Sequence, residues 1–404
     1  ERKENGCELS RARSQSPSMV LKRTTRAVFF FALVLGTLAK RFTHAAIIDL
    51  SGNLPVATNH NANPGASALR DAAVKDDILG YAVVKGGELV ASAGPTWEEN
   101  VWSVTKTWVA TLIGIMMQKG IIAPTTTLET ALPSVDWNAV ASSEKKKAIT
   151  IAQIMSMSSG LKASCDYYGA QDTVESVLNS PTFADGEVGS FNYLCSGSIL
   201  SYVIYQQTGK TPLTYAREEL FPALGMNDEI VWSPTHGSND IQESGHGLVL
   251  GPHDLAKLGQ LYLQGGLTGG SESTELISAD FVNASSSNQL ISPMSIYQCC
   301  VCDFFKSDDA GYGYMQWLHK TASGPANCAL GYQGQFICNW PGLDLTIAIT
   351  SNVFTGYDSS CRLLGLVATG LDFESLTALI PSSTATLTGL FGLLCASVVA
   401  LVLV

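Results

Sequence analysis

The sequence predicts an α+β fold in which one antiparallel sheet packs against helices and carries an inserted, mainly helical region. Segments with strand composition lie near both ends of the predicted folded domain, at residues 81–93 and again at 311–318, 334–340 and 343–351. Residues from about 123 to 265 between them show mostly helical patterns. A single sheet assembled from the two ends of the domain is the simplest arrangement that buries both sets of strands.

Composition and charge limit the classes of function. The chain has 404 residues, of which 46% are hydrophobic and 15% charged, as expected for a globular domain with apolar terminal segments. Its formal net charge is −11 and its middle contains no basic stripe. We therefore expect no nucleic-acid partner.

The cysteines predict disulfides rather than a metal site. Ten are present, and eight remain when Cys7 and Cys395 in the terminal segments are set aside. An even number in an exported chain favours disulfides. The cluster Cys299-Cys-Val-Cys302 has no second Cys or His pair with zinc-like spacing. The eight are Cys165, Cys195, Cys299, Cys300, Cys302, Cys328, Cys338 and Cys361.

Residues 1–45 are predicted to hold an upstream segment and a secretory signal peptide. A basic lead that contains Lys22 precedes a short apolar run at residues 27–39, and the small residues Ala45 and Ala46 follow it. We therefore expect the folded domain to occupy residues 46–375 and the chain to enter the secretory pathway.

Residues 376–404 form a hydrophobic tail. No Lys or Arg follows Arg362, so the tail lacks a basic cytoplasmic flank. We predict either a glycolipid-anchor signal or a transmembrane tail, and in both cases a domain tethered to the extracellular face of a membrane. Small residues suited to cleavage of an anchor signal are Ser375, Ser382 and Ser383. Asn283-Ala-Ser285 is a glycosylation sequon, expected on a surface loop.

The first predicted elements are a hairpin and a buried helix. Residues 81–93 predict two short strands around Lys85-Gly-Gly87. A helix is then expected to begin at or just before Ser103 and to end at Gly120. Nearly every residue between Trp108 and Met117 is apolar, so this helix is predicted to be buried on most sides.

Further helices are predicted along the rest of the chain. Their patterns occupy residues 149–161, 198–207, 213–220, 251–265 and 363–370. Gly160 and Gly209 are expected to end the first two, because glycine tolerates the positive φ that commonly follows a helix. Asp254 lies near the predicted first turn of the fourth helix, where a carboxylate is favourable.

Ser103 and Lys106 are the candidate catalytic pair. Residues three apart share a helix face, so the amine is expected to reach the hydroxyl. The helix start supplies free N–H groups that favour a developing oxyanion. We expect burial to lower the pKa of the Lys106 amine and allow it to act as a base. The structural, non-catalytic alternative is an N-cap serine beside a lysine that extends its amine to solvent.

The Ser-x-x-Lys spacing by itself is not specific. It recurs at Ser142/Lys145, Ser143/Lys146 and Ser159/Lys162. The first two pairs lie in a lysine-rich segment that is predicted to be a solvated surface. Only the pair at Ser103 opens a long apolar helix.

Five motifs follow one another along the chain. They are Ser103-Val-Thr-Lys106, Ile149-Thr-Ile with Met155-Ser-Met-Ser-Ser-Gly-Leu161, Phe191-Asn-Tyr193 with Thr208-Gly209, Phe221-Pro-Ala-Leu-Gly-Met226, and Ala329-Leu-Gly-Tyr-Gln-Gly-Gln335. In this order, they resemble the motifs of the serine β-lactamase and penicillin-binding protein superfamily. Within it, the chain is most similar to class C β-lactamase-related esterases and nylon-oligomer (6-aminohexanoate) hydrolases, over most of residues 75–370.

The resemblance implies a β-lactamase/transpeptidase-like fold and a role for each matched residue. Ser103 would be the acylated nucleophile, and Lys106 would accept and return its proton. Tyr193 would share the proton transfer with the lysine, as one coupled titrating unit. Gly331 would lie on the strand that borders the site, where the N–H groups of Tyr332 and Ser103 would form an oxyanion hole.

Two departures from the motifs indicate a neutral ester or amide as the small-molecule substrate. Ala329 stands where β-lactamases and penicillin-binding proteins carry Lys or His, which removes a cation that helps to hold a substrate carboxylate. Cys195 stands where β-lactamases have Asn, which removes an amide suited to a substrate carbonyl. The predicted serine hydrolase needs no metal and no organic cofactor.

Alternatives remain at this stage for the residues and for the function. Tyr193 is also explained as a core aromatic residue, and Gly331–Gly334 as an ordinary turn. A Ser-His-Asp hydrolase is a competing enzyme class, although no Gly-x-Ser-x-Gly elbow is present. The histidines available to it are His236, His246, His253 and His319. A catalytically inactive cell-surface binding protein on the same fold is the alternative from another class.

Overall fold

The computed structural model describes residues 47–58, 78–94, 99–161, 174–179, 188–193, 198–234, 241–271, 273–290, 310–321 and 323–351. The predicted signal peptide, the hydrophobic tail and the helix at residues 363–370 lie outside these ranges, as do all of the cysteines except Cys328 and Cys338. Within the ranges, no helix has the length and apolar character that crossing a bilayer requires.

Seven strands form one antiparallel sheet in the order β2-β1-β9-β8-β7-β6-β5. In chain order the strands are β1 (Ile78–Lys85), β2 (Glu88–Ala93), β3 (Glu99–Asn100), β4 (Val249–Leu250), β5 (Gly311–Tyr312), β6 (Trp317–Thr321), β7 (Gly324–Gly331), β8 (Gln335–Trp340) and β9 (Leu345–Ser351). Strands β3 and β4 form a separate pair. Because β1 pairs with β9, the two ends of the domain meet in one sheet, and the predicted α+β architecture is confirmed.

The hairpin of β1 and β2 follows from its turn. Gly86 and Gly87 have φ of +60° and +78°, and a two-residue hairpin turn with positive φ at both positions favours glycine. The same strand β1 pairs with β9 through a register that places Val83 opposite Ile347. Strand β9 is buried along its whole length, as expected for a central strand.

The helices are α1 (Thr105–Gln118), α2 (Leu128–Ala131), α3 (Ser143–Lys147), α4 (Ile151–Met155), α5 (Val174–Asn179), α6 (Ser198–Thr208), α7 (Pro212–Glu219), α8 (Pro252–Leu263) and α9 (Ala279–Ser285). Helix α1 is buried from Thr105 to Met116 and packs against α6 and α7, as predicted for an apolar helix. Helix α8 packs on β1, β8 and β9. Gly259 allows this contact, because a Cβ there would lie 2.4 Å from Thr346.

The helix predicted at residues 149–161 is wrong in length. Helix α4 covers only Ile151–Met155, after a capping box made by Thr150 and Gln153. The hydroxyl of Ser156 donates to the carbonyl of Ala152 (2.8 Å), a local bond that competes with helix continuation. Met157 then takes φ of +55°, and the carbonyls of Met157 and Ser158 accept the N–H groups of Asn192 and Gly189 (both 2.7 Å).

The strand predicted at residues 311–318 is interrupted by a turn. Gly313 donates its N–H to the carbonyl of Gln316 (2.9 Å), and Met315 has φ of +53°. The hydroxyl of Thr107 on α1 holds this turn by donating to the carbonyl of Met315 (2.8 Å). A contact between residues 208 positions apart in the chain therefore decides where β5 ends and β6 begins.

Two expectations about the surface are corrected. The sequon Asn283-Ala-Ser285 lies in helix α9 rather than on a loop, and Ser285 is buried with its hydroxyl donating to the carbonyl of Phe281 (2.9 Å). The lysine-rich segment forms helix α3, and Lys146 within it is buried with its amine donating to the carbonyl of Leu178. In both cases the helix turns one residue of a polar run toward the interior.

Candidate active site

Ser103 lies in a single 3₁₀ turn, Trp102–Val104, that leads directly into helix α1. Lys106 follows in the first turn of α1, where its side chain is only 2% exposed. The structure places the amine of Lys106 3.0 Å from Oγ of Ser103 and 2.9 Å from the carbonyl oxygen of Gly245. The hydroxyl is half-buried, whereas the lysine that contacts it is enclosed. The pair therefore joins a partly accessible nucleophile to a buried amine.

The residue before Ser103 has a strained backbone. Trp102 has φ of +46°, in the left-handed region that non-glycine residues rarely adopt. The side-chain oxygen of Asn100 compensates by accepting the N–H of Trp102 (2.9 Å) and that of Gly247 (3.1 Å). Strained residues of this kind concentrate at functional sites. The sharp turn sets the direction in which the hydroxyl of Ser103 leaves the helix.

A loop at residues 241–248 supplies the second acceptor of the Lys106 amine. The carboxylate of Glu243, which is 1% exposed, accepts the N–H of Gly245 (2.8 Å). The main-chain carbonyl of Glu243 accepts the indole N–H of Trp232 (2.7 Å), which ties the loop to the body of the domain. Sequence reasoning missed these residues; the available signal was a lone acid in the run Glu243-Ser-Gly-His-Gly247.

The structure brings Tyr193 to the same amine. Its ring centroid lies 5.0 Å from the Lys106 nitrogen. The ring stacks on Trp317 of β6, with centroids 5.6 Å apart and an interplanar angle of 29°. Asn192 fixes the segment by donating its N–H to the carbonyl of Met157 (2.7 Å) and its side-chain amide to that of Leu161 (2.7 Å). The early end of helix α4 thus provides the acceptors that hold Tyr193 in place.

The end of strand β7 forms a further side of the site. Strand β6 pairs with β7 as far as Cys328, and residues from Ala329 to Gly331 pair with β8. The turn that carries Ser103 packs against β7 and β8. A Cβ on Gly331 would lie 2.5 Å from the carbonyl oxygen of Val101, so only glycine permits this approach. Gly331 is the last residue of β7, and a 3₁₀ turn begins at the next residue, Tyr332.

Cys328 and Cys338 form a disulfide between directly opposed residues of β7 and β8, with Cα atoms 4.2 Å apart. The prediction of disulfides is confirmed for this pair. The bond joins the two strands a few residues from Gly331. Ala329, which lies between Cys328 and Gly331 in the chain, is 4% exposed and contributes no charge to the site.

The histidines considered for a Ser-His-Asp site occupy other positions. The half-buried ring of His246 lies 6.1 Å from that of Trp102. His319 is buried in β6, where burial lowers its pKa to about 3. His253 lies in the first turn of α8, and His236 is outside the described residues. The hydroxyl of Ser103 accepts its hydrogen bond from a lysine instead. The described residues also contain no group of three or more His, Cys, Asp or Glu able to hold a metal ion.

The antiparallel sheet is built from strands near both ends of the domain, packs against helices and is joined to a helical region. This architecture is that of the β-lactamase/transpeptidase-like serine hydrolase fold. Residues 64–369 match the family described as Beta-lactamase, and the chain belongs to this family. No curated protein matches the sequence.

Solved structures share this fold at low sequence identity. A proposed 6-aminohexanoate-dimer hydrolase from Bacillus anthracis is 16% identical, with a TM-score of 0.57, covering 80% of this chain and 91% of its own. EstCE1, a hydrolase with promiscuous acyltransferase activity, is 13% identical, with a TM-score of 0.56 and coverage of 77% and 98%. A D-stereospecific amidohydrolase from Streptomyces sp. is 17% identical, with a TM-score of 0.53 and coverage of 74% and 97%. These similarities concern the fold.

Proposed function

We propose that this member of the Beta-lactamase family is a serine hydrolase that cleaves a neutral ester or amide through an acyl-enzyme. The observation that carries the proposal is the position of the Lys106 amine, which is buried and bonded to both Ser103 and the carbonyl of Gly245. Burial favours the neutral form of an amine, and a neutral amine at hydrogen-bond distance can accept the hydroxyl proton.

In the first step, Oγ of Ser103 forms a bond to the substrate carbonyl carbon while its proton passes to the Lys106 amine. The carbonyl π electrons move to the oxygen, which becomes an oxyanion. When the tetrahedral intermediate collapses, the bond to the leaving group breaks and the proton is returned to that group. Tyr193, whose ring centroid lies 5.0 Å from the same amine, would carry this proton between Lys106 and the leaving group.

Water then repeats the sequence in the second half of the reaction. It attacks the acyl-enzyme carbonyl, gives its proton to the Lys106–Tyr193 pair, and releases the acid as Oγ of Ser103 regains a proton. In both halves the N–H groups of Ser103 and Tyr332 would stabilise the oxyanion, a contribution often worth about 3 kcal/mol for each donor. The close approach of Gly331 to Val101, just before the Ser103 turn, supports this placement.

The substrate class follows from the charge of the site. Ala329 offers no positive charge at the position where a substrate carboxylate would be held. A carboxylate transferred into such a site would lose its hydration without gaining a counter-charge. We therefore propose uncharged esters or amides rather than carboxylate-bearing β-lactams as substrates. The names of the similar structures, which include a hydrolase with promiscuous acyltransferase activity and an amidohydrolase, are compatible with this class.

The test is hydrolysis of p-nitrophenyl butyrate by the full chain and by three variants. We expect Ser103→Ala to abolish turnover, Lys106→Met to lower kcat by about 100- to 10,000-fold, and Tyr193→Phe to lower it by about 100-fold. The matched control is the double variant Ser142→Ala/Lys145→Met, which removes the same spacing at the start of helix α3 and should retain full activity. Turnover that survives in Ser103→Ala would overturn the proposal, and a folded wild type without turnover would favour the inactive binding protein.

A further inference from the structure

We propose that Trp102, Tyr332 and His246 form a subsite that binds a planar, uncharged aromatic acyl group beside Ser103. This inference rests on the proposed function and names its substrate class. The three rings are called the aromatic wall below. The ring of Trp102 lies at its centre, 5.3 Å from that of Tyr332 at an interplanar angle of 81°, and 6.1 Å from that of His246 at 48°.

The aromatic wall is built on a rigid backbone. The indole N–H of Trp102 donates to the side-chain oxygen of Gln333 (3.0 Å), which joins the turn before α1 to the turn after β7. Both residues have left-handed φ, +46° for Trp102 and +62° for Gln333. The chain therefore holds two strained residues in place and bonds them to each other. Binding a flat group on a wall that is already fixed loses little side-chain entropy.

The position of the wall assigns it to the acyl group rather than the leaving group. Trp102 precedes Ser103 in the chain, and Tyr332 carries one of the two proposed oxyanion donors. With its carbonyl oxygen held by those N–H groups, the substrate would have its acyl group beside both rings. Lys106 and Tyr193, which return the proton to the leaving group in the proposed mechanism, are not part of the wall. The wall thus contacts the part of the substrate that stays on the enzyme through both steps.

Exposure and charge indicate which acyl group fits. Tyr332 is 37% exposed, and Trp102 and His246 are half-buried, so their rings still present surface to a ligand. Large exposed aromatic side chains that cluster at a site are typical of a binding surface. Offset or edge-to-face contacts with another aromatic ring favour a planar group over a saturated one of the same size. A substrate of the benzoyl type satisfies these conditions.

The experiment compares two acyl groups on one leaving group. The full chain is assayed with p-nitrophenyl benzoate and p-nitrophenyl cyclohexanecarboxylate, and the kcat/KM ratio is divided by the ratio of their hydroxide hydrolysis rates. We expect the wild type to prefer the benzoate by about 10-fold, since each ring contact contributes about 3- to 10-fold. Trp102→Leu and Tyr332→Leu should each lower this preference at least about 3-fold, whereas Tyr332→Phe retains it. Tyr205→Leu on the exposed face of α6 is the matched control and should leave the ratio unchanged.

A second measurement needs no variant. Phenylboronic and cyclohexylboronic acids both form a bond from boron to Oγ of Ser103, and their inhibition constants are compared after correction for the difference in their acid dissociation constants, because the phenyl compound is the stronger Lewis acid. The corrected inhibition constant of the phenyl compound should be about 10-fold lower in the wild type. A corrected benzoate preference near one, or equal corrected inhibition by the two boronic acids, overturns the aromatic subsite while leaving the hydrolase intact. Failure of the wild type to hydrolyse either ester or to react with a fluorophosphonate overturns the proposed function itself. The two failures are therefore distinguishable.

Discussion

The carbonyl of Gly245 shares the Lys106 amine with Ser103, and this sharing fixes the direction of the amine. The side chain is already enclosed, and the bond to the carbonyl, 2.9 Å long, gives the amine a second acceptor in a fixed direction. The carbonyl is itself held by the bond from the N–H of Gly245 to Glu243. The buried carboxylate of Glu243 thereby positions the Lys106 amine through the backbone of Gly245.

Replacing Glu243 tests this positioning. Glu243→Ala frees the N–H of Gly245, and we expect kcat for ester hydrolysis to fall about 10-fold or more with a smaller change in KM. Glu243→Gln keeps an oxygen acceptor at the same place and should restore most of the rate. The measurement is the pH profile of kcat for both variants, with Glu229→Ala on the surface as control. Equal rates in the Ala and Gln variants would show that the acceptor has no positioning role.

Replacing Gly331 gives a second prediction for a single residue. In Gly331→Ala the new Cβ would lie 2.5 Å from the carbonyl oxygen of Val101 and 2.9 Å from Cβ of Gln335, so the end of β7 must move away from the Ser103 turn. We expect kcat to fall about 100-fold, as for the loss of an oxyanion donor. Gly342→Ala, where nothing lies within 4 Å of the added atom, is the control. Full activity in Gly331→Ala would contradict the close packing of these segments.

Strand β6 connects the site to the core. Its first residue, Trp317, carries the ring on which Tyr193 stacks, and it pairs with Cys328 of the disulfide-linked strand β7. Two residues later, His319 is 2% exposed and lies opposite Ala326. Burial disfavours the charged imidazole and lowers the pKa of His319 from 6.5 to about 3. The strand that supports Tyr193 therefore contains a group that is neutral only in the folded state at mildly acidic pH.

This pKa gives a stability prediction for β6. Between pH 6.5 and about 3 the unfolded chain binds a proton at His319 that the folded chain excludes, so the free energy of unfolding falls as the pH drops through this window. Above pH 6.5 the contribution is constant. We expect urea unfolding of His319→Gln to show a pH slope that is smaller by up to about 1.4 kcal/mol per pH unit. Parallel curves for the variant and the wild type between pH 4 and 6 would contradict it.

Local sequence signals were sufficient to predict the features that a few neighbouring residues determine. The paired glycines Gly86 and Gly87 define the first hairpin, and the spacing of Ser103 and Lys106 places both side chains on one helix face. The features that the sequence did not predict depend on contacts between segments far apart in the chain. The bond from Thr107 to the carbonyl of Met315 breaks a continuous strand pattern. The carbonyl of Gly245 lies 139 positions from Lys106, beyond any periodicity in the chain.

Across the whole molecule, the candidate site lies where the sheet, helix α1 and the helical region converge. The sheet contributes Gly331 and Trp317, helix α1 contributes Lys106, and the segment after α4 holds Tyr193 through Asn192. Each of these contacts joins segments that are far apart in the sequence. The site therefore depends on contacts between several segments of the described part of the chain rather than on any one of them.

In the proposed mechanism, Ser103 is the residue that becomes acylated. This is tested by the intact mass of the folded full chain after reaction with a fluorophosphonate, followed by mapping of the modified residue by tandem mass spectrometry. We predict one adduct per chain, located on Ser103 and lost in Ser103→Ala but not in Ser142→Ala. An adduct on another residue, or an unmodified folded chain after prolonged incubation, would contradict it.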